Sequence, residues 1–289
     1  MSPKREREDG SNEGKTPERK KHTKEEVAHP RKRFYRARAH SNPLNVAEFD
    51  VPACPDEFDW SDHFPEFLQE WREQQQQQQQ QEGAGPSSSS SSEAPAVRFV
   101  DIGCGFGGLL VKLSTIYPDT LMLGMEIRDK VSAYVRERIA TLRREHPRSY
   151  RNASVLRTNA MKYLPNYFKK GQLTKMFFLF PDPHFKTANH RRRIINTHLL
   201  TEYAHLLAPG GWLYTISDVP ELGEWMRSKL EAHPLFERVS EEELAADPAA
   251  GLLALSSEEG QKVARNGGAT FRNVFRRLAA PRPLQQQAL

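Results

Sequence analysis

Short apolar runs alternate with longer amphipathic stretches between Val97 and Leu278. The runs are rich in Val, Ile, Leu, Met and Phe and end near Gly, Pro, Asp or Asn, a pattern typical of buried strands. The predicted strands are VRFVDIG (97–103), TLMLGMEI (120–127), ASVLRTN (153–159), KMFFLF (175–180), WLYTISD (212–218), LFERV (235–239) and FRNVFRRL (271–278). They indicate a sheet that forms the centre of the domain.

The stretches between these strands carry apolar residues at helical spacing. The predicted helices are residues 107–118, 129–146 with Asp129 as the N-cap, 190–207 and 221–233, and a turn is predicted at APGG, residues 208–211. Strands that alternate with helices favour an α/β fold: a mostly parallel seven-stranded sheet with helices on both faces. Ligands of such sheets bind beyond the carboxyl ends of the strands, where the strand order reverses.

Composition divides the chain of 289 residues into segments, and its polar residues are concentrated outside the domain. The mean hydropathy of −0.72 is therefore a poor description of the domain itself. The predicted segments are a disordered charged tail (1–30), a basic and aromatic N-terminal arm (31–72), a flexible glutamine- and serine-rich linker (73–93), the globular domain (94–280) and a C-terminal tail (281–289).

The chain shows no membrane or secretion signal. No apolar run approaches the roughly 18 residues of a membrane span, and the basic N-terminus lacks the apolar region of a signal peptide. We therefore expect a soluble, intracellular protein. The net charge of +5 is a modest indication of a polyanionic partner. Lys20–Lys21 fit a nuclear import signal and fit a solvated charged tail equally well.

The start of the arm, RKRFYRARAHSNP, interleaves basic residues with Phe34 and Tyr35. Basic groups pair with phosphates, while aromatic rings stack on bases or anchor the arm to the domain. The predicted RNA contacts are Arg31, Lys32, Arg33, Arg36 and Arg38. Ser41, in Arg36-x-Arg38-x-x-Ser41, also fits a site for a basophilic kinase, and a phosphate there should weaken RNA binding.

The glycine loop VDIGCGFGG joins the first predicted strand to the following helix. Its spacing, Gly103-x-Gly105-x-x-Gly108, matches the dinucleotide fingerprint, and Glu126 closes the second strand about 20 residues on. A carboxylate at that place suits the ribose of either a nicotinamide cofactor or S-adenosylmethionine. The loop alone leaves both cofactors open.

Three polar residues favour S-adenosylmethionine. Asp101, just before the loop, would repel a pyrophosphate but suits a cationic amino-acid group. Asn159 ends the third strand, where its amide could read an adenine edge. The fourth strand delivers Asp182 to the same edge of the sheet. A methyltransferase explains all three residues, and a dehydrogenase explains only the loop.

Asp182 lies between two prolines in FFLFPDPHFK. The prolines fix the backbone and so hold the carboxylate in one direction, although Pro and Asp are also common in plain surface turns. A basic cluster follows, and its members are predicted to bind RNA phosphates rather than a metal, because the sequence offers no ligand set at zinc spacing. The cluster comprises His184, Lys186, His190, Arg191, Arg192 and Arg193.

Five motifs together resemble the catalytic subunits of eukaryotic tRNA (guanine-N7-)-methyltransferases. They are VDIGCGFGG, LGMEIR, NAMKYLPN, GQLTKMFFLFPDPHFK and SSEEGQKVARNGG. The resemblance covers the start of the arm and residues 97–278. It implies a class I methyltransferase fold, S-adenosylmethionine as cofactor, methylation of guanosine N7 in the tRNA variable loop, a WD-repeat propeller subunit as heterodimeric partner, and a nuclear location.

The resemblance also implies roles for individual residues. Asp182 would be the catalytic acid. Ser257-x-Glu259 falls where the family carries Thr-x-Glu. The residues expected around the cofactor are Gly103, Glu126, Arg128, Asn159, Ala160, Leu179, Ser257 and Glu259. The alternatives are a methyltransferase acting on another RNA or on protein, a non-catalytic RNA-binding scaffold on the same fold, and, on the glycine spacing alone, a nicotinamide oxidoreductase.

Overall fold

A computed structural model of the chain describes residues 28–38, 42–44, 49–81 and 94–283. Lys20–Lys21 and most of the predicted charged tail lie outside the described residues, as do Ser41, residues 82–93 of the predicted linker and residues 284–289 of the C-terminal tail.

A seven-stranded sheet forms the centre of the domain, with the order β3-β2-β1-β4-β5-β7-β6. Strands β1 to β5 are parallel, and β7 runs antiparallel to both β5 and β6. The strands are β1 (Val97–Ile102), β2 (Leu121–Glu126), β3 (Ala153–Arg157), β4 (Leu173–Leu179), β5 (Leu207–Ser217), β6 (Phe236–Arg238) and β7 (Phe271–Arg277). The predicted mostly parallel sheet is confirmed. The strand order reverses between β1 and β4, which fixes where a ligand should bind.

Helices cover both faces of the sheet, as predicted. They are α1 (Pro65–Gln81), α2 (Gly108–Ile116), α3 (Asp129–Glu145), α4 (Ala160–Tyr167), α5 (Thr197–Leu206), α6 (Pro220–Ala232), α7 (Glu241–Ala246) and α8 (Glu258–Arg265). One apolar core contains side chains of α1, α4, α5 and α6, and a second contains side chains of α2, α3 and α7.

The start predicted for α3 is confirmed, but its predicted N-cap and the start predicted for α5 are wrong. Asp129 is the first residue of α3 rather than its N-cap; Arg128 holds the cap position, and the Asp129 carboxylate lies 3.4 Å from Nε of Arg157. The helix predicted at 190–207 begins only at Thr197. Asn196 caps it by accepting a hydrogen bond from the backbone N–H of Leu199 at 3.0 Å, and a short 3-10 helix, Thr187–Arg192, precedes it.

Two other predicted boundaries also differ from the structure. The turn predicted at 208–211 lies inside β5, where Gly210 has a φ of +83° and the register with β4 shifts between Leu173 and Lys175. The linker predicted to start at residue 73 begins within α1, which continues to Gln81. Glutamine is a good helix former, so a glutamine run can extend a helix that Pro65 has started.

In the described part of the chain no helix is both long and apolar enough to cross a membrane.

Candidate active site

A cavity of about 580 Å³ opens at the carboxyl ends of β1, β2, β4 and β5, where the strand order reverses. Its walls come from the glycine loop after β1, the ends of β2 and β4, the loop after β5 and the start of α8. All the residues predicted around a cofactor line it: Gly103, Glu126, Arg128, Asn159, Ala160, Leu179, Ser257 and Glu259. Asp182 lines the same cavity, so the fold brings the predicted catalytic acid and the predicted cofactor residues together.

Two glycines of the loop serve different purposes. Gly103 has a φ of +71°, and a Cβ added there would meet nothing within 4 Å, so the backbone presents a bare surface. At Gly108 an added Cβ would lie 1.8 Å from the carbonyl oxygen of Ser256. Glycine is therefore required at position 108 for the segment before α8 to pack against the loop.

Glu126 is almost fully buried, with 2% of its surface exposed. Its Oε2 accepts hydrogen bonds from the backbone N–H of Gly105 at 3.1 Å and from Nη2 of Arg128 at 2.8 Å. Its Oε1 accepts from the backbone N–H and from Nε of Arg128, at 2.9 and 3.0 Å. The carboxylate is thus held in one orientation, and the Arg128 guanidinium is the one movable group among its donors.

Asp101 lies under the loop with 3% of its surface exposed. Burial, and then the nearby charge of Glu126, raise the pKa of its carboxyl group from 3.8 to about 7. Two buried carboxyl groups beside one cavity create a site that favours positive charge and hydroxyl donors.

Asn159 caps α4, because its Oδ1 accepts a hydrogen bond from the backbone N–H of Met161 at 3.1 Å. Its Nδ2 donates to the carbonyl oxygen of Pro43, from the N-terminal arm, at 2.6 Å. One N–H of the amide and one lone pair remain for a ligand. Reading of an adenine edge by Asn159 stays a prediction.

The Pro181-Asp182-Pro183 corner is flanked by two strained residues. Phe180 has a φ of 49° and His184 a φ of 46°, values that non-glycine residues rarely adopt. The corner is held by hydrogen bonds on both sides: the backbone N–H of Phe180 donates to the carbonyl oxygen of Ile216 at 2.8 Å, and Nε of Arg193 donates to that of Pro183 at 2.9 Å. Strain that the surroundings maintain in this way is typical of functional sites.

Arg193 does not take the place predicted for it. Only 1% of its surface is exposed, and its guanidinium lies over the ring of Trp225 at 4.7 Å while Nη2 pairs with Glu221 at 2.9 Å. A buried guanidinium cannot reach an RNA phosphate, so the prediction of an RNA contact is corrected. Arg193 instead holds the backbone of the corner that carries Asp182.

Comparison with known proteins gives consistent matches along the chain. Residues 95–273 match the family described as "Putative methyltransferase". A tRNA (guanine-N(7)-)-methyltransferase of Oryza sativa subsp. indica is 59% identical over 86% of this chain and 92% of its own length. Those of Arabidopsis thaliana and Bos taurus are 59% and 53% identical, over 86% and 89% of this chain and 92% and 91% of their own lengths.

The chain belongs to the tRNA (guanine-N7-)-methyltransferase family. It is an enzyme that uses S-adenosylmethionine, as the resemblance implied, and the cavity fits that cofactor. The bare backbone at Gly103 leaves room for a close approach, and the acidic floor of Asp101 and Glu126 suits a ribose diol and a cationic group. For a ribose diol to reach Glu126, the Arg128 guanidinium must give up part of its contact with the carboxylate.

At α8 of this methyltransferase, Ser257 acts as N-cap and accepts a hydrogen bond from the backbone N–H of Gly260 at 3.0 Å. Oε1 of Glu259 pairs with Nζ of Lys262 at 2.9 Å. The serine hydroxyl thus serves as the helix cap in this chain. Contact of either residue with the cofactor remains a prediction.

The arm of the methyltransferase packs beside the mouth of the cavity. Lys32 pairs with Glu258, which lines the cavity, and its Nζ lies 5.5 Å from the centre of the Phe106 ring. The Tyr35 ring packs edge-on against Tyr134 at 5.5 Å. The other predicted RNA contacts of the arm are exposed: Arg31, Arg33, Arg36 and Arg38.

The basic cluster after Asp182 divides into surface and cavity positions. Lys186 and Arg191 are exposed, whereas His184 and Arg192 are half-buried and line the cavity. Asp218 also lines the cavity and was not predicted. Its position directly after an apolar strand, in WLYTISD, was an available signal for it. Among the described residues no group of three or more His, Cys, Asp or Glu side chains could hold a metal ion.

Proposed function

We propose that the chain transfers the methyl group of S-adenosylmethionine to N7 of a guanosine in the tRNA variable loop, as the catalytic subunit of a heterodimer with a WD-repeat propeller. The observation that supports this most directly is that Asp182 shares one cavity with Glu126 and the glycine loop. Relatives that are 53–59% identical are tRNA (guanine-N(7)-)-methyltransferases, which supports the substrate class.

Guanine N7 carries a free lone pair, so no proton has to leave before it attacks. Bound S-adenosylmethionine supplies an electrophilic methyl group on a sulfonium centre. The residues of the chain therefore contribute mainly by holding the base in line, which is catalysis by positioning. A general base has no role at N7.

Asp182 is the residue we assign to that positioning. A carboxylate beside the base accepts hydrogen bonds from N1–H and from the exocyclic amino group of guanine, and it stabilises the positive charge that develops on the purine. The bonds to Phe180 and Pro183 on either side keep the corner fixed, so this interaction costs little reorganisation when the base arrives.

Arg128 is influenced by the charges of two acidic residues that line the cavity, Glu126 and Asp182. Its hydrogen bond to Glu126 is the main cause that raises the pKa of its guanidinium, and the charge of Asp182 contributes further. We propose that the guanidinium turns from Glu126 towards Asp182 when the cofactor occupies Glu126.

Exposed basic side chains of the arm and of the segment after Asp182 suit the phosphates of tRNA. On the arm they are Arg31, Arg33, Arg36 and Arg38, and after the catalytic corner they are Lys186 and Arg191. Lys32, His184 and Arg192 lie closer to the cavity, where they would meet the phosphates nearest the target guanosine.

The family resemblance is what supports the propeller partner and the nuclear location.

The test is to incubate the full chain with tRNA and labelled S-adenosylmethionine, with and without a WD-repeat propeller partner. Label on tRNA, at a site that N7-methylguanosine-specific cleavage maps to the variable loop, is the expected result. Label on another RNA or on protein would identify a different substrate. No transfer of label with the partner present would contradict an enzymatic role.

A further inference from the structure

Phe185 is a large apolar side chain in an unusual place. Its ring is 68% exposed and lines the cavity three residues after Asp182. The other exposed large apolar side chains in the described residues are Phe34, Leu44, Ile116 and Leu255, and none of them lines the cavity. Single exposed apolar residues are normal on protein surfaces, so the position of Phe185, not its exposure, is informative.

The backbone that carries Phe185 is fixed on both sides. Before it, Arg193 holds the carbonyl oxygen of Pro183 at 2.9 Å, and His184 has a φ of 46°. After it, the chain enters the 3-10 helix Thr187–Arg192, where the backbone N–H of Asn189 donates to the carbonyl oxygen of Lys186 at 2.7 Å. The ring thus projects from a rigid corner into the cavity mouth.

The ring has no aromatic partner among the described residues, whereas the neighbouring cavity aromatic Phe106 packs against Tyr134 with ring centres 5.1 Å apart. A fixed, solvent-facing aromatic ring beside a catalytic group is a stacking surface for a planar ligand. Enzymes that act on a base within folded RNA take that base out of its stack and hold it between aromatic side chains instead of its neighbouring bases.

We propose that Phe185 stacks on the target guanine and holds it in the cavity mouth while Asp182 binds its edge. This inference rests on the proposed function. It assigns Phe185 as a positioning residue, because the ring would hold the base by its face and take no part in proton or methyl transfer. Base stacking on an aromatic side chain is worth about 1–3 kcal/mol per base, which corresponds to a change in affinity of roughly fivefold to 150-fold.

The test compares tRNA affinity on two ligands, an intact tRNA and the same tRNA with an abasic site at the target position. Phe185→Ala should weaken binding of the intact tRNA about tenfold and binding of the abasic tRNA less than about twofold. Phe185→Tyr keeps a stacking face and should bind both ligands as the wild type does. Phe185→Leu keeps an apolar side chain without the ring face and should behave like Phe185→Ala.

Ile116→Ala, an exposed apolar side chain away from the cavity, is the matched control and should change neither affinity. Calorimetry with S-adenosylmethionine should give the same affinity for every variant, because Phe185 is assigned to the base. The proposal would be overturned if Phe185→Ala weakened binding of the intact and the abasic tRNA equally, or if Phe185→Leu bound tRNA as the wild type does. It would also be overturned if the effect of Phe185→Ala on affinity disappeared only for a tRNA whose abasic site lies at a neighbouring nucleotide. A wild-type chain that transfers no methyl group would instead contradict the proposed function.

Discussion

Arg193 donates a hydrogen bond from its buried guanidinium to the carbonyl oxygen of Pro183, in the Pro181-Asp182-Pro183 corner, at 2.9 Å. The same guanidinium pairs with Glu221 and lies over Trp225, so α6 and the corner are joined through one side chain. The corner that carries Asp182 is therefore held by a residue that does not itself line the cavity.

Removal of this link should separate catalysis from cofactor binding. Arg193→Ala removes the two hydrogen bonds that the buried guanidinium donates to Pro183 and Glu221, and its cation–π interaction with Trp225. We therefore expect it to lower the free energy of unfolding by roughly 2–4 kcal/mol. Methyl transfer should fall at least about tenfold while cofactor affinity changes little. Urea denaturation, calorimetry and single-turnover transfer measure the three quantities.

Arg191→Ala is the matched control, since Arg191 is exposed two positions earlier in the same run. It should change stability by less than about 0.5 kcal/mol and lower only tRNA affinity. The positioning role would be refuted if Arg193→Ala, folded at the assay temperature, transferred methyl groups at the wild-type rate.

Glu126→Gln should weaken cofactor binding by roughly tenfold to a hundredfold. The amide cannot accept the four N–H donors that the carboxylate accepts, and it offers weaker acceptors to a ribose diol. Isothermal titration calorimetry with S-adenosylmethionine measures the effect. Glu231→Gln, on the exposed side of α6, is the control, and similar affinities for both variants would remove Glu126 from the cofactor site.

The raised pKa of Asp101 predicts a pH dependence of stability. A carboxyl group with a pKa of about 7 in the folded chain and about 4 in the unfolded chain binds its proton more tightly when folded. Its contribution to stability is complete below the unfolded pKa and is lost as the pH rises through about 7. The melting temperature of the cofactor-free protein should fall as the pH is raised from about 5 to about 8. We expect this fall to be larger in the wild type than in Asp101→Asn by about 2 °C or more. Parallel melting curves for the two proteins would contradict this.

The exposed arginines of the arm should contribute to tRNA affinity mainly by pairing with phosphates. Replacement of Arg31, Arg33, Arg36 and Arg38 by Ala should weaken binding and reduce the slope of log affinity against log salt by about 0.7–0.9 for each phosphate that is no longer neutralised. Filter binding at several salt concentrations measures the slope. Arg227→Ala with Lys229→Ala on α6 is the control, and an unchanged slope for the arm variant would exclude the arm from tRNA binding.

The strands could be predicted because buried parallel strands are continuous apolar runs with local end signals, and residues at their carboxyl ends meet at one edge of the sheet. This is why Gly103, Glu126, Asn159 and Asp182 were predicted together and lie in one cavity. The start of α5 was less predictable than the strands. The residues before Asn196 form a 3-10 helix rather than the first turns of α5, and this is visible only in the structure.

Interactions between distant residues could not be predicted in this way. Three successive arginines look alike in the sequence, and Arg193 differs from Arg191 through its contacts with Pro183 and with α6 residues that lie 28 or more positions further along. Lys32 and Glu258 are 226 residues apart, so no local pattern indicates their ion pair. Phe185 stands in the FFLFPDPHFK motif without a predicted role, because exposure and cavity position become visible only in the fold.

The most direct test of Asp182 measures cofactor binding and methyl transfer on the same preparation of Asp182→Ala. We predict that transfer to guanosine N7 of tRNA is almost completely lost while the affinity for S-adenosylmethionine, measured by calorimetry, is largely kept. That result would place Asp182 at the base. Loss of both to the same extent would contradict its assignment to the guanine and make it a structural or cofactor-binding residue.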